Sequence, residues 1–102
     1  MDVRDLRAAL RALSDTARLR IVQYLATYDG EITVSDLTRA LRISQPLVSW
    51  HLRQLRRAQL ISTHRVGRQV LCSLNRARLA DCSKLLSEWC DCRVAAVRQS
   101  PP

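Results

Sequence analysis

The chain has 102 residues, 47% of them hydrophobic, which is enough for one domain around one core, too few for two, and too apolar for wholesale disorder. Aromatics make up 4% and phenylalanine is absent, so the core falls to Leu, Ile, Val and Ala, a palette that suits helices. The formal net charge is +8, and its placement matters more than its size. Between Leu37 and Ala80 lie nine arginines (39, 42, 53, 56, 57, 65, 68, 76 and 78) and no Asp or Glu. Single-sign charge of this kind is the footprint of a polyanionic partner, although charge alone fits a solvated basic face equally well. No apolar run approaches the ~20 residues of a membrane span. The charged start, Met1-Asp2-Val3-Arg4-Asp5, has no signal-peptide core behind it. A cytoplasmic protein is expected, with its four cysteines (72, 82, 90 and 92) as thiols rather than structural disulfides.

In chain order, Leu6, Leu10 and Leu13 recur at helical spacing and predict a first helix over about 2–13. Ser14 is a suitable N-cap for a second, whose apolar positions Leu19, Ile21, Val22 and Leu25 carry it to about Tyr28, before Asp29-Gly30. Thr33-Val34-Ser35-Asp36 fits a capping box and opens a short third helix that buries Leu37 and Leu41 and ends near Arg42-Ile43. Ser44 caps a fourth, with Pro46 in its first turn and Val48, Leu52 and Leu55 as its buried stripe. From Leu60 the period changes. Residues 60–65 and 69–74 are β-prone runs joined around Val66-Gly67-Arg68, the pattern of a hairpin. Asn75 caps a last helix with Leu79, Cys82, Leu86 and Trp89 on one stripe, and the tail, 99–102, is expected to fray. The order α-α-α-α-β-β-α, mainly helical with a small β-hairpin wing, is that of a winged helix-turn-helix, here a single domain over 1–98.

Two segments carry a family resemblance. Leu10-Arg11-Ala12-Leu13-Ser14-Asp15-Thr16-Ala17-Arg18-Leu19-Arg20-Ile21 resembles the L-x-A-L-[SA]-D-P-T-R-L-x-I signature of ArsR/SmtB-type repressors, with Thr16-Ala17 in place of Pro-Thr. Ser44-Gln45-Pro46-Leu47-Val48-Ser49-Trp50-His51-Leu52-Arg53-Gln54-Leu55 resembles their S-Q-P-T-V-S-x-H-L-x-x-L recognition helix. Ala58-Gln59-Leu60-Ile61 stands where A-G-L-V is common, and Val66-Gly67-Arg68 at the wing turn. The resemblance covers about 6–90 and implies a homodimer that binds a double-stranded DNA operator and is released by an effector. The family's usual effector sites are missing. Thr33-Val34-Ser35-Asp36-Leu37 replaces the thiol pair of C-V-C-D-L. Asp81-Cys82-Ser83 lacks the histidine of D-x-H, and no His follows His64.

On the fourth helix, 100° per residue sets Ser49, Trp50, Arg53 and Arg57 opposite the buried stripe, with Ser44 and Gln45 at the N-terminal end that meets base edges. Gln can bond adenine bidentately, Ser is permissive, and Arg reads guanine or holds phosphate. Trp50 either presses a thymine methyl or folds against Arg53. His51 reads as a core hydrogen-bonding histidine rather than a ligand. Arg65 and Arg68 flank the wing tip and suit phosphate or minor-groove contact, whereas Arg39, Arg42 and Arg56 supply general phosphate attraction. Leu6, Leu10 and Leu13, with Leu79, Cys82, Leu86 and Trp89, offer more apolar stripe than one small domain needs and predict a dimer interface. Any metal site would draw on Cys72, Cys82, Cys90 and Cys92, whose soft thiolates favour As(III), Cd, Zn or Cu(I). Cys90 and Cys92 point ~200° apart on a helix, so joint ligation needs fraying or a second subunit. A redox role for these thiols, no thiol role in a constitutive repressor, and a winged-helix protein-interaction module all remain open readings. No catalytic constellation is present, and an enzyme is not expected.

Overall fold

The first helix, α1 (Val3–Leu13), begins where two short acids can cap each other: the Asp5 N–H donates to Asp2 Oδ1 at 2.8 Å and the Asp2 N–H to Asp5 Oδ2 at 3.2 Å. The computed structural model describes residues 1–91. Cys92 and the tail expected to fray lie outside the described residues. The second helix, α2 (Thr16–Ala26), is capped by Asp15 and not by Ser14, with the Arg18 N–H donating to Asp15 Oδ1 at 3.1 Å. A carboxylate answers the positive end of the helix better than a hydroxyl, and Ser14 is left to close α1, donating its N–H to Arg11 O. The helix also stops at Ala26, short of Tyr28, where the Thr27 hydroxyl donates to Tyr24 O at 2.6 Å. Leu19, expected on the buried stripe, is exposed, since it points some 200° from Ile21.

After Gly30 the chain forms β1 (Ile32–Thr33), a two-residue strand with too little sequence to show a period. Thr33 then caps α3 (Val34–Leu41), accepting from the Asp36 N–H at 3.0 Å. The other half of the expected capping box does not close. Asp36 turns to Arg39 at 3.3 Å instead. Arg42 takes a left-handed conformation (φ 56°) to end the helix, and Ser44 starts α4 (Gln45–Arg57) with Pro46 in its first turn. Ser44 caps through its backbone alone, its carbonyl accepting from the Val48 N–H at 3.0 Å, and its hydroxyl makes no cap bond. At the far end, Gln59 adopts φ 63°, its N–H reaching Arg56 O at 2.9 Å while the Leu60 N–H reaches Leu55 O at 3.0 Å, the paired bonds of a Schellman close.

The wing strands are β2 (Ile61–Val66) and β3 (Gln69–Leu74), antiparallel from Ile61↔Leu74 to Val66↔Gln69. Pairing of Val66 with Gln69 leaves a two-residue turn. Gly67 at φ +61° occupies its first central position, as a type II′ turn requires. β1 adds to the other side of β3 through Ile32↔Cys72, giving the order β1-β3-β2. Asn75 links sheet to helix. Its side-chain oxygen accepts from the Arg78 N–H at 3.2 Å, opening α5 (Arg76–Asp91), and its amide donates to Gln59 O at 2.8 Å.

One core joins all of these elements, with Leu6, Ile21, Leu25, Leu37, Val48, Leu55 and Leu60 among its most buried side chains. Three arginines close helix C-termini, where unsatisfied carbonyls and the negative dipole end attract a cation. Arg18 Nη1 donates to Ala12 O at the end of α1, Arg20 Nη2 to Leu41 O at the end of α3, and Arg76 Nη2 to Ala26 O and Tyr28 O at the end of α2. Arg76 and the half-buried Arg78, which lies 3.7 Å from Asp5 Oδ1, are thus structural members of the acid-free stretch.

Candidate nucleic-acid interface

α3, the turn through Arg42, and α4 form a helix-turn-helix, and β2–β3 stands beside it as a wing. The buried side of α4 holds Val48, His51, Leu52 and Leu55. Its two exposed flanks face different neighbours. The wing-side flank borders a cleft of about 380 Å³ that collects Gln45, Ser49, Arg53 and Arg56 from α4, Arg65 and Arg68 from the wing, and the first residues of α3. Five of the expected DNA contacts, Gln45, Ser49, Arg53, Arg65 and Arg68, therefore meet on one wall. Arg56 joins them through a 3.4 Å bond to Thr63 Oγ1 that ties the helix to the wing strand, a contact that local periodicity cannot foresee. No acid lines the cleft.

Trp50 and Arg57 sit elsewhere. They line the opposite flank, a groove of about 410 Å³ between α4 and α1 that also holds Arg11, Arg18 and Gln54. Trp50 is not folded against Arg53. The guanidinium of Arg18 lies over its ring, 5.1 Å from the centroid, and His51 meets it edge-on at 5.1 Å. His51 is 5% exposed and is the core histidine expected from its position: Arg18 Nε donates to its Nδ1 at 3.1 Å, which leaves the ring proton on Nε2. The same Arg18 N–H that caps on Asp15 holds that carboxyl below the usual carboxylate range, so Asp15 is ionised and spent on the first turn of α2. The role of Arg18 is not legible in the signature that contains it, because its partners on α4, Trp50 and His51, are 32 and 33 residues away.

The cysteines separate. Cys72 is fully buried at the centre of the sheet, its thiol 3.4 Å from Ile32 O, and burial, with the Glu31 carboxylate adding to it, pushes the thiol up to about 11. Cys82 is buried, and desolvation raises it too. Both are buried as neutral thiols, so a metal would have to displace their protons and reach them inside the core. Cys90 is exposed on α5, and Cys92 lies outside the described residues. Among the described residues, no group of three or more His, Cys, Asp or Glu could hold a metal ion.

The expected dimer surface also divides. Leu6 is 2% exposed and Cys82 5%, so both are filled by this chain's own core and are withdrawn from the interface. Leu13 and Leu79 are partly buried against that core, whereas Leu10, Leu86 and Trp89 stand exposed. No helix among the described residues is long and apolar enough to cross a membrane.

A helix-turn-helix with a basic wing defines a DNA-binding regulator of the winged helix-turn-helix class. The chain belongs to the bacterial regulatory protein, arsR family, whose pattern matches residues 15–63. It is 38% identical over 71 residues to the transcriptional repressor SdpR of Bacillus subtilis, a match covering 70% of this chain and 77% of that one. In three dimensions it is similar to an ArsR-like transcriptional regulator from Rhodococcus sp. RHA1, with TM-score 0.75 and 29% identity over 93% of this chain and 91% of that one. It shares its fold with the homodimeric winged helix-turn-helix DNA-binding domain Mb0332 of Mycobacterium bovis, a possible ArsR-family regulator, at TM-score 0.70 and 22% identity over 90% and 83%. The protein is thus a DNA-binding transcriptional regulator of the ArsR family.

Proposed function

We propose that this repressor acts as a homodimer on a specific double-stranded operator, with Gln45 and Ser49 reading bases and Ser44, Arg53, Arg65 and Arg68 holding the backbone. The observation that carries the reading is the acid-free cleft that gathers one flank of α4 and both wing arginines. The Ser44 hydroxyl, unused in capping, is free to donate to a phosphate oxygen. Replacing Gln45 with Ala is expected to cost about 1–3 kcal/mol on the operator and much less on random duplex. Titration of both duplexes measures this, and equal losses on the two would show that α4 is not the reading helix. A protein-interaction role would instead give only weak DNA affinity, with no preference for the operator over random duplex.

Release by an effector belongs to the same proposal. With Cys72 and Cys82 buried, thiol sensing falls to Cys90 and Cys92 near the end of α5, next to the expected subunit contact. An As(III), Cd or oxidant response that survives replacement of Cys90 and Cys92 by Ser would refute that assignment. A wild type that keeps its operator under all three would be a repressor without thiol control.

A further inference from the structure

The groove between α1 and α4 lies on the side of the recognition helix away from the wing. An α-helix with its side chains is ~10–12 Å across, and the major groove of B-DNA is ~12 Å wide. A recognition helix lying in that groove must therefore bring each of its flanks against one of the two phosphate backbones that border it. In this molecule the wing-side flank carries Gln45, Ser49, Arg53 and Arg56, and the other carries Trp50, Gln54 and Arg57. Across from the second flank, α1 contributes Arg11, and α2 contributes Arg18.

We infer that this groove is a second phosphate-binding wall, in which Arg11 and Arg57 take backbone oxygens of the DNA strand opposite the one held at the wing. The inference rests on the DNA-binding reading above and adds to it residues on α1, outside the helix-turn-helix. Four observations support it. Three arginines, Arg11, Arg18 and Arg57, line one concave surface with no acid in its lining. Asp15, at the start of α2 beside Arg18, is occupied with the Arg18 N–H. The walls between them are small, since Ala8, Ala12 and Ala58 line the groove and leave room for a bulky anion. Arg18 is anchored from three sides, by Ala12 O, His51 Nδ1 and the Trp50 ring, and so presents a fixed positive charge rather than a mobile one. Arg11 and Arg57 are both exposed, so they reach the ligand at no expense to the core.

The test uses the full chain, and the probe is a labelled duplex of the protein's own upstream region, with a random duplex beside it. Each substitution removes two contacts from a homodimer, so Arg11→Ala and Arg57→Ala should each weaken both duplexes to the same degree and reduce the slope of log affinity against log salt by roughly 1.8, the pair together by roughly 3.6. Thermal unfolding of the variants should match the wild type, and Lys84→Ala, which removes an exposed charge on α5, should leave the slope unchanged. Within each half-site, hydroxyl-radical footprints should lose protection on one strand in R11A/R57A and on the other in R65A/R68A. An unchanged slope and footprint in R11A/R57A overturns the second wall while leaving the DNA-binding reading intact. Loss of the salt slope in the wild type overturns both. If inorganic phosphate at millimolar concentration raises the melting temperature of the wild type but not of R11A/R57A, and the footprint is unaltered, the groove holds a free anion and the DNA-backbone assignment is wrong.

Discussion

Cys72 shows how one residue's surroundings decide what its chemistry can be. Its backbone pairs with Ile32 on one side and Thr63 on the other in the middle strand of a three-stranded sheet, and its fully buried side chain has the Ile32 carbonyl as its hydrogen-bond partner. A thiolate there would lose its hydration and face the Glu31 carboxylate, so the neutral form is held to about pH 11. The stability consequence has a definite sign. A thiol whose folded value is raised keeps its proton in the native state after the unfolded chain has lost it, so stability is complete below the ordinary value of 9.0 and declines as pH climbs towards 11. Urea titrations should show the midpoint falling across that interval, and falling less for Cys72→Ala, in which the raised Cys82 thiol remains, than for the wild type. A midpoint that is flat from pH 8 to 11 would contradict the burial argument. The alternation of Cys72 with Val70 and Leu74 along β3 is legible in the sequence, but the carboxylate of Glu31 comes from a segment 41 residues earlier and leaves no trace in the local pattern. Arg18 makes the same point. Its signature position is visible along the chain, yet its meeting with His51 and Trp50 is a tertiary fact.

At the scale of elements, what was legible followed period and punctuation. All five helices and the hairpin appear where apolar spacing and Gly67 put them, whereas β1, with two residues, falls below the length at which alternation can be seen. The boundaries moved by one or two residues wherever neighbouring side chains compete for a cap, as Asp15 does with Ser14. The close of α4 contains a local conflict. Gln59 holds φ 63° where the family commonly has glycine, and a left-handed residue with a Cβ costs roughly 1–2 kcal/mol. Glycine would relieve that strain and return about 0.4–1 kcal/mol of it through the greater freedom of its unfolded chain. Gln59→Gly is therefore expected to raise stability by up to about 1 kcal/mol, or roughly 4–8 °C in Tm for a chain of this size. Gln59→Val, β-branched in the same conformation, should lower it. Thermal scans of the two variants decide the matter, and a less stable glycine variant would mean that the Gln59 side chain contributes more than its backbone costs.

At the scale of the whole molecule, α5 is not accounted for by one chain. It runs for 16 residues, yet Cys82 is its only buried member among the described residues. Leu79 and Leu85 rest partly against the core, and Leu86 and Trp89 are left in solvent at 39% and 51% exposure. Leu10, at 47%, and Val3 project from α1 in the same way. An isolated helix gains most of its stability from packing one face, and exposed leucine and tryptophan on two terminal helices are surface that a second copy would cover. The sequence already held this surplus of apolar stripe. It could not show that Leu6 and Cys82 are consumed inside the protomer, because both share a helical face with residues that remain outside. Pairing through Leu10, Leu86 and Trp89 would set two α4 helices about 34 Å apart, one DNA turn, and let one protein grip two half-sites. The gain from linking two binding units is on the order of 10²–10⁴ in affinity. Leu86→Glu places a charge on this surface without touching the core, so it should sediment as a folded monomer and lose affinity of that order for the full operator. Its affinity for an isolated half-site should stay near that of the wild type. Wild-type protein that sediments as a monomer at micromolar concentration would overturn the dimer. A folded Leu86→Glu variant that remains dimeric would move the contact to another face.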